Sequence, residues 1–185
     1  MREKKETVGI FSEMILTNFN MSWEDKIQVK KGNLGENIVK DTLEKKGYVV
    51  YKCVTEKAHA FDFLAVKDKK VFVIAEVKSK ARFNKYEATG IDLRHFNEYK
   101  FIYDNQKIDI LLFFVDEHPK EERIYCQKLS ILMQEKTVNN VKYPNTEISK
   151  GKIIFSLSDM ITVCKLTQEQ LTELKKYSSR SCEYL

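Results

Sequence analysis

Apolar positions recur along this chain at two spacings, and the change from one to the other falls at Gly47. Before it, Leu34, Ile38 and Thr42 form one row with Val39 and Leu43 beside it, which predicts a helix from Leu34 to Lys46. Asn33 stands where a side-chain oxygen can cap the first free N–H groups, and Gly47 where a helix stops. Further upstream Val8, Phe11, Ile15 and Phe19 also recur at helical spacing, and Ser22 followed by Asp25 resembles a second helix start. Residues 1–30 are therefore expected to form a helical extension, with Trp23 packed in it.

Beyond Gly47 the segments YVVYKCV (48–54), FDFLAV (61–66) and VFVIAEV (71–77) are rich in β-branched and aromatic residues and predict three strands, the last two joined by a polar KDKK turn. A charged, irregular stretch runs to Gly90. A helix from Asp92 to Tyr103 follows, with Leu93, Phe96, Tyr99 or Lys100, and Tyr103 toward the core. IDILLFFVD (108–116) is apolar almost throughout, the mark of a central strand covered on both faces. After a mixed stretch around IYCQKL come a strand at KIIFSL (152–157) and a last helix that Thr167 and Gln170 can open as a capping box. This alternation predicts an α/β fold with a central sheet flanked by helices.

Length and composition narrow the picture further. At 185 residues the chain suits a single domain with a sizeable core, and only 6 Gly and 2 Pro argue against a disordered or linker-rich chain. The net charge of +5 is compatible with a polyanionic partner without requiring one. Cysteines 53, 126, 164 and 182 are scattered with no CxxC pair, which excludes a zinc cage and reads as reduced, mostly buried thiols in a cytoplasmic protein. The apolar run of the first twenty residues is broken by Ser12 and Glu13, so it reads as neither a signal peptide nor a membrane span.

The chemistry concentrates where charges interrupt apolar strands: Asp62 between Phe61 and Phe63, then Glu76 and Lys78 in Ala75-Glu76-Val77-Lys78. Side chains alternate faces along a strand, so Glu76 and Lys78 point the same way as Phe72 and Ile74, while Val73, Ala75 and Val77 line the other face. Asp62 shares the Glu76 face only if the hairpin loop is odd. Closing the turn symmetrically pairs residue 66 with 71 and sets Asp62 opposite Ala75, whereas pairing Lys67 with Val71 sets it opposite Glu76. The expectation is the odd loop or a nearby bulge. Two converging carboxylates repel, and a hard divalent ion such as Mg²⁺, with Mn²⁺ as its substitute, relieves that repulsion while taking water and phosphate oxygens as further ligands.

Asp62, Glu76-Val77-Lys78 and the upstream helical Glu36 resemble the PD-(D/E)xK nuclease superfamily, and Glu76-Val77-Lys78-Ser79-Lys80 is most similar to its Holliday junction resolvase branch. The resemblance spans roughly residues 31–116, and Phe61 departs from it where the superfamily's name has proline. It implies a restriction-endonuclease-like core in that stretch, completed by 117–185. It also implies Asp62 and Glu76 as metal ligands, the Val77 carbonyl as another, Lys78 as a water-orienting or charge-stabilising group, and Glu36 as an accessory ligand or base. The implied activity is hydrolysis of DNA phosphodiester bonds, possessed by a homodimer if the resolvase likeness extends to assembly.

Each of these residues has a plainer reading beside it. Asp62, Glu76 and Lys78 can be a strand-end salt bridge. Glu36, counted from Asn33, falls at the third helical position, where an acid serves the cap and the helix dipole. Ser79, Lys80, Arg82 and Lys85 belong to a basic run free of acids that suits a phosphate backbone, and equally a solvated loop. His59 and His95 read as ordinary surface or core-edge histidines. The rival functions are a non-catalytic nucleic-acid-binding or assembly module on the same fold, and an RNase or toxin built on the same core.

Overall fold

A computed structural model describes residues 26–53, 61–69 and 71–178. The expectations for residues 1–25 with Trp23, for His59 and for Cys182 lie outside them. The chain adopts the expected α/β architecture. Helix α1 (Ile27–Lys45) precedes strands β1 (Val49–Lys52), β2 (Phe63–Lys67) and β3 (Val71–Ser79). Strand β4 (Ala88–Asp92), helix α2 (Leu93–Gln106) and strand β5 (Ile110–Asp116) follow. The six-stranded sheet runs β1-β2-β3-β5-β6-β10, with β6 at Arg123–Lys128 and β10 at Ile161–Lys165. It is mixed: β3 and β5 are parallel, and the other neighbouring pairs antiparallel.

Helix α1 starts earlier than its apolar row suggests. Asn33 lies inside it instead of capping it, and Glu36 sits mid-helix instead of in the first turn. Gly35, inside the helix, serves packing: a Cβ there would stand 2.7 Å from the Cβ of Ser79, so the bare backbone lets α1 lie close on the end of β3. The stop is where it was expected. Gly47 takes φ +86°, and Lys67 donates to the Lys46 carbonyl at 2.7 Å.

The β2–β3 hairpin pairs Lys67 with Val71, the odd three-residue loop, and Asp68 and Lys69 both take left-handed φ. Alternation then sorts the apolar residues onto two faces. Ala75, Val77, Phe113 and Val115 meet Ile38, Val39 and Leu43 of α1, with Leu171 and Leu174 of the last helix, α4 (Gln168–Lys176). Ile74, Leu112 and Phe114 meet Phe96 and Tyr99 of α2, with Leu129 and Leu132 of α3 (Leu129–Leu132). Strand β5 supplies both cores, which is why its sequence is apolar almost throughout. The Thr167–Gln170 capping box opens α4 as expected.

Further features departed from the sequence reading. The stretch before α2 contains β4, which pairs with β9 (Lys152–Ser156) in a small separate sheet, and β7 (Lys136–Val138) with β8 (Val141–Tyr143) forms a third. Strand β10 closes the main sheet. Gly90 is central to β4 because a Cβ there would lie 2.3 Å from the Ile153 carbonyl oxygen, so the residue that looked like punctuation is a close-approach position. Cys53, Cys126 and Cys164 are free thiols and half-buried, less covered than expected. Among the described residues no helix is long and apolar enough to cross a membrane.

The α1–β3 contact generates a test. Gly35→Ala should lower stability by about 1 kcal/mol, because overpacking against Ser79 outweighs the gain in helix propensity. In a Ser79→Gly background the same change should be neutral or stabilising. Urea unfolding midpoints decide it, and a Gly35→Ala protein more stable than its parent would contradict the packing argument.

Candidate functional site

The hairpin register carries directly into the site. Phe63 pairs with Ala75, the Asp62 N–H donates to the Ala75 carbonyl at 3.0 Å, and Asp62 therefore stands across from Glu76 just beyond the end of β2. Both carboxylates are buried, Asp62 at 7% and Glu76 at 5% exposure. The Val77 N–H donates to Asp62 Oδ2 at 2.7 Å. Lys78 Nζ at 2.5 Å and the Tyr99 hydroxyl at 2.6 Å both donate to Glu76 Oε1, so one oxygen of Glu76 is fixed from the strand and from α2.

Burial first, and then the Glu76 charge, push the Asp62 carboxyl up to about 7, against the Val77 N–H that favours its charged form. The Glu36 charge adds to the rise and Lys78 opposes it. Burial and the Glu76 carboxylate drive the Tyr99 phenol well above its ordinary range, so it remains a donor. Tyr99 escaped the sequence reading as a site residue, having been placed in the core row of α2. The available signal was its hydroxyl, which in an apolar row must find an acceptor.

Two buried carboxylates set across from each other, with the Glu76 charge raising the proton affinity of Asp62, suit a hard divalent cation, whose charge would take the place of the proton. Among the described residues no three His, Cys, Asp or Glu side chains gather to hold a metal. The donor set is thus the Asp62–Glu76 pair, and a hard cation held there would complete its shell with oxygens of water and substrate. Glu36 is half-buried and pairs with Lys52 at 2.7 Å, so its charge reaches Asp62 while its carboxylate is engaged elsewhere.

The basic run after β3 is not the open stripe its composition suggests. Ser79 packs on Gly35, and its hydroxyl has no hydrogen-bond partner among the described residues. Lys80 is half-buried and donates to the Gly90 carbonyl at 2.6 Å. Arg82 overturns the expectation of a phosphate contact. It is buried, its Nη1 donates to Glu121 at 3.0 Å, and its backbone N–H donates to Asp116 Oδ1 at 3.2 Å. A guanidinium taken from water in this way is held by its acids, so it fastens the loop. Lys85 is exposed. His95 stacks on Tyr99 with centroids 6.3 Å apart; its Nε2 lies 3.1 Å from Arg94 and its Nδ1 has no hydrogen-bond partner among the described residues, the two carboxylates included.

No family model and no curated protein matches the chain. Among solved structures the chain is similar to a Holliday junction resolvase from the hyperthermophile Archaeoglobus fulgidus, with 11% identity over 69% of this chain and 89% of that one, at a TM-score of 0.46.

Asp62 and Asp116 give the fold a defined pH response. Burial also raises Asp116 to about 7, so both acids bind protons more tightly folded than at their ordinary value of 3.8. A raised acid stabilises the fold fully below its unfolded pKa, and that contribution disappears as pH rises through 7. In EDTA, stability should fall between about pH 4 and 7 by a few kcal/mol. Asp62→Asn should remove part of the fall and leave the variant more stable than its parent at pH 8. Denaturant unfolding across pH measures this; an unchanged slope would show that Asp62 titrates normally.

Proposed function

We propose that the chain is a Mg²⁺-dependent endonuclease of the PD-(D/E)xK type that hydrolyses phosphodiester bonds of DNA. The observation that carries this reading is the placement of buried Asp62 across from buried Glu76, with Lys78 one alternation further on the Glu76 face. A strand-end salt bridge explains Lys78 with Glu76 but leaves Asp62 buried against a second carboxylate, an arrangement that destabilises the bare protein. Such a cost is understandable at a site built for a cation.

Asp62 and Glu76 would hold the ion, which when bound supplies a water of lowered pKa and neutralises charge growing on the scissile phosphate. The chain's own residues do the positioning. The Val77 N–H fixes Asp62, and Tyr99 and Lys78 fix Glu76 by one oxygen. The Lys78 ammonium, 2.5 Å from Glu76 Oε1, is placed to donate to the attacking water or a phosphate oxygen and to stabilise the charge that develops there. Glu36 acts through its field on Asp62, as an accessory acid one shell out. The Val77 carbonyl as a ligand, a structure-selective, resolvase-like substrate preference, action as a homodimer, a cytoplasmic setting and a single nuclease domain with its catalytic core at 31–116 belong to the same proposal.

The test is cleavage of plasmid, linear duplex, single strand, four-way junction and RNA with Mg²⁺, Mn²⁺ or EDTA. Asp62→Ala and Glu76→Ala should abolish metal-dependent cutting, and Lys78→Ala should slow it by about 10²–10³-fold. Independently of turnover, Mg²⁺ should raise the Tm of the parent and not of Asp62→Asn, since only the folded parent offers both carboxylates. Variants that cut at the parent rate would refute the site. Cutting of RNA alone would move the protein to the RNase reading, and nucleic-acid binding without cutting to the non-catalytic module.

A further inference from the structure

The row of side chains that holds the candidate site continues past it. The Lys80 N–H donates to the Val115 carbonyl at 3.1 Å, so the β3–β5 ladder runs one step beyond Ser79 and strand alternation still applies. Glu76, Lys78 and Lys80 therefore share a face, at intervals of about 7 Å for each two-residue step. That interval is on the scale of one nucleotide step along an extended strand.

At the end of this row a second lysine arrives from a distant part of the sequence. Strand β9 pairs antiparallel with β4 and sets Lys152 opposite Asp92, two residues from Gly90, whose carbonyl takes the Lys80 ammonium. Lys152 bears directly on Lys80. Burial and then the Lys152 charge pull the Lys80 ammonium down to about 8, with Asp92 opposing and Lys78 adding to the fall. Neither Lys80 nor Lys152 forms an ion pair with a described carboxylate, Asp92 included, and the Lys152 ammonium makes no hydrogen bond with a described residue. Two half-buried ammonium groups thus repel each other with no carboxylate joined to either. An anion between them would reverse the sign of that interaction.

We propose that Lys152 and Lys80 together seat a phosphate of a nucleic-acid strand, one nucleotide away from the phosphate at Asp62, Glu76 and Lys78. This rests on the nuclease reading and extends it to β9, a strand outside the segment that resembles the nuclease core. The chemistry recognised is a phosphate oxygen. The backbone step of about 7 Å from Lys78 to Lys80 favours a strand over a free anion, because it matches successive phosphates on one backbone.

Binding of a fluorescein-labelled single strand and of the corresponding duplex would be measured in EDTA by anisotropy across a salt series. The parent would be compared with Lys152→Ala, Lys152→Glu and Lys152→Arg. Lys152→Ala should weaken binding by about 3–10-fold and reduce the salt slope by about 1, Lys152→Glu should weaken it more, and Lys152→Arg should bind like the parent. Thermal unfolding should stay level or rise in Lys152→Ala, since a repulsion is removed, which separates lost contact from lost fold. A parallel arm adds inorganic phosphate against chloride at equal ionic strength. Lys152-dependent binding of inorganic phosphate with strand binding unaffected by the substitutions would overturn the inference in favour of a free-anion site. A parent that cuts DNA while Lys152→Ala keeps parent affinity and salt slope would overturn this inference alone; a parent that neither binds nor cuts would overturn it with the nuclease reading.

Discussion

The three-residue turn that pairs Lys67 with Val71 is the constraint on which the rest of the site depends. A strand's side chains alternate, so a hairpin one residue shorter would carry Asp62 to the face of Ala75 and bury a lone carboxylate among the apolar residues packed under α1. With the odd loop, Phe63, Ala65, Ala75 and Val77 reach one core, Ile74 reaches the other, and the two acids meet. Packing and chemistry impose the same register, because Phe63 fills one core only when Asp62 faces the other way.

Around this pair the fold supplies rigidity from three directions. The parallel partner β5 is buried on both faces and holds β3 in line, α1 lies close over Ser79 through Gly35, and α2 brings Tyr99 down onto Glu76. The loop after β3 is fastened as well, by Asp116 at the end of β5 through the Arg82 N–H and by Glu121 through the guanidinium. Charged side chains that would be costly alone are thereby held in two hydrogen-bonded groups at the C-terminal ends of β3 and β5, one around Glu76 and one around Arg82. Like-charged groups are left opposed there, Asp62 with Glu76 and Lys80 with Lys152, and these are the positions to which the proposals above assign a cation and a phosphate.

Much of this was legible in the residues themselves because it rests on short-range rules. Spacing of apolar positions located α2, the three strands of the hairpin region and the doubly covered β5. Alternation placed Glu76 and Lys78 on one face, and face-matching of Asp62 selected the odd loop. Thr167 with Gln170 announced the capping box that opens α4. These features depend on neighbours a few residues apart, or on the side-chain period of a strand, and such information is local.

What the tertiary structure alone decided involves partners far apart in sequence. Gly90 looked like the end of an irregular stretch, and Gly35 carried no signal of its own, until the Ile153 carbonyl and Ser79 were seen against them. Strand β4 could not be recognised without β9, since ATGID has little strand character of its own and gains its ladder from residues 152–156. Arg82 belongs with Lys80 and Lys85 by composition, and only the approach of Glu121 and Asp116 turns it from a surface cation into a buried anchor. The placement of Asp62 across from Glu76, with Lys78 on the Glu76 face, was thus written in the sequence. The hydrogen bonds that aim them, from Tyr99 and Val77, and the lysine that β9 delivers beside Lys80, were settled by packing, because a side chain's partner across the sheet is chosen by the geometry of the whole fold.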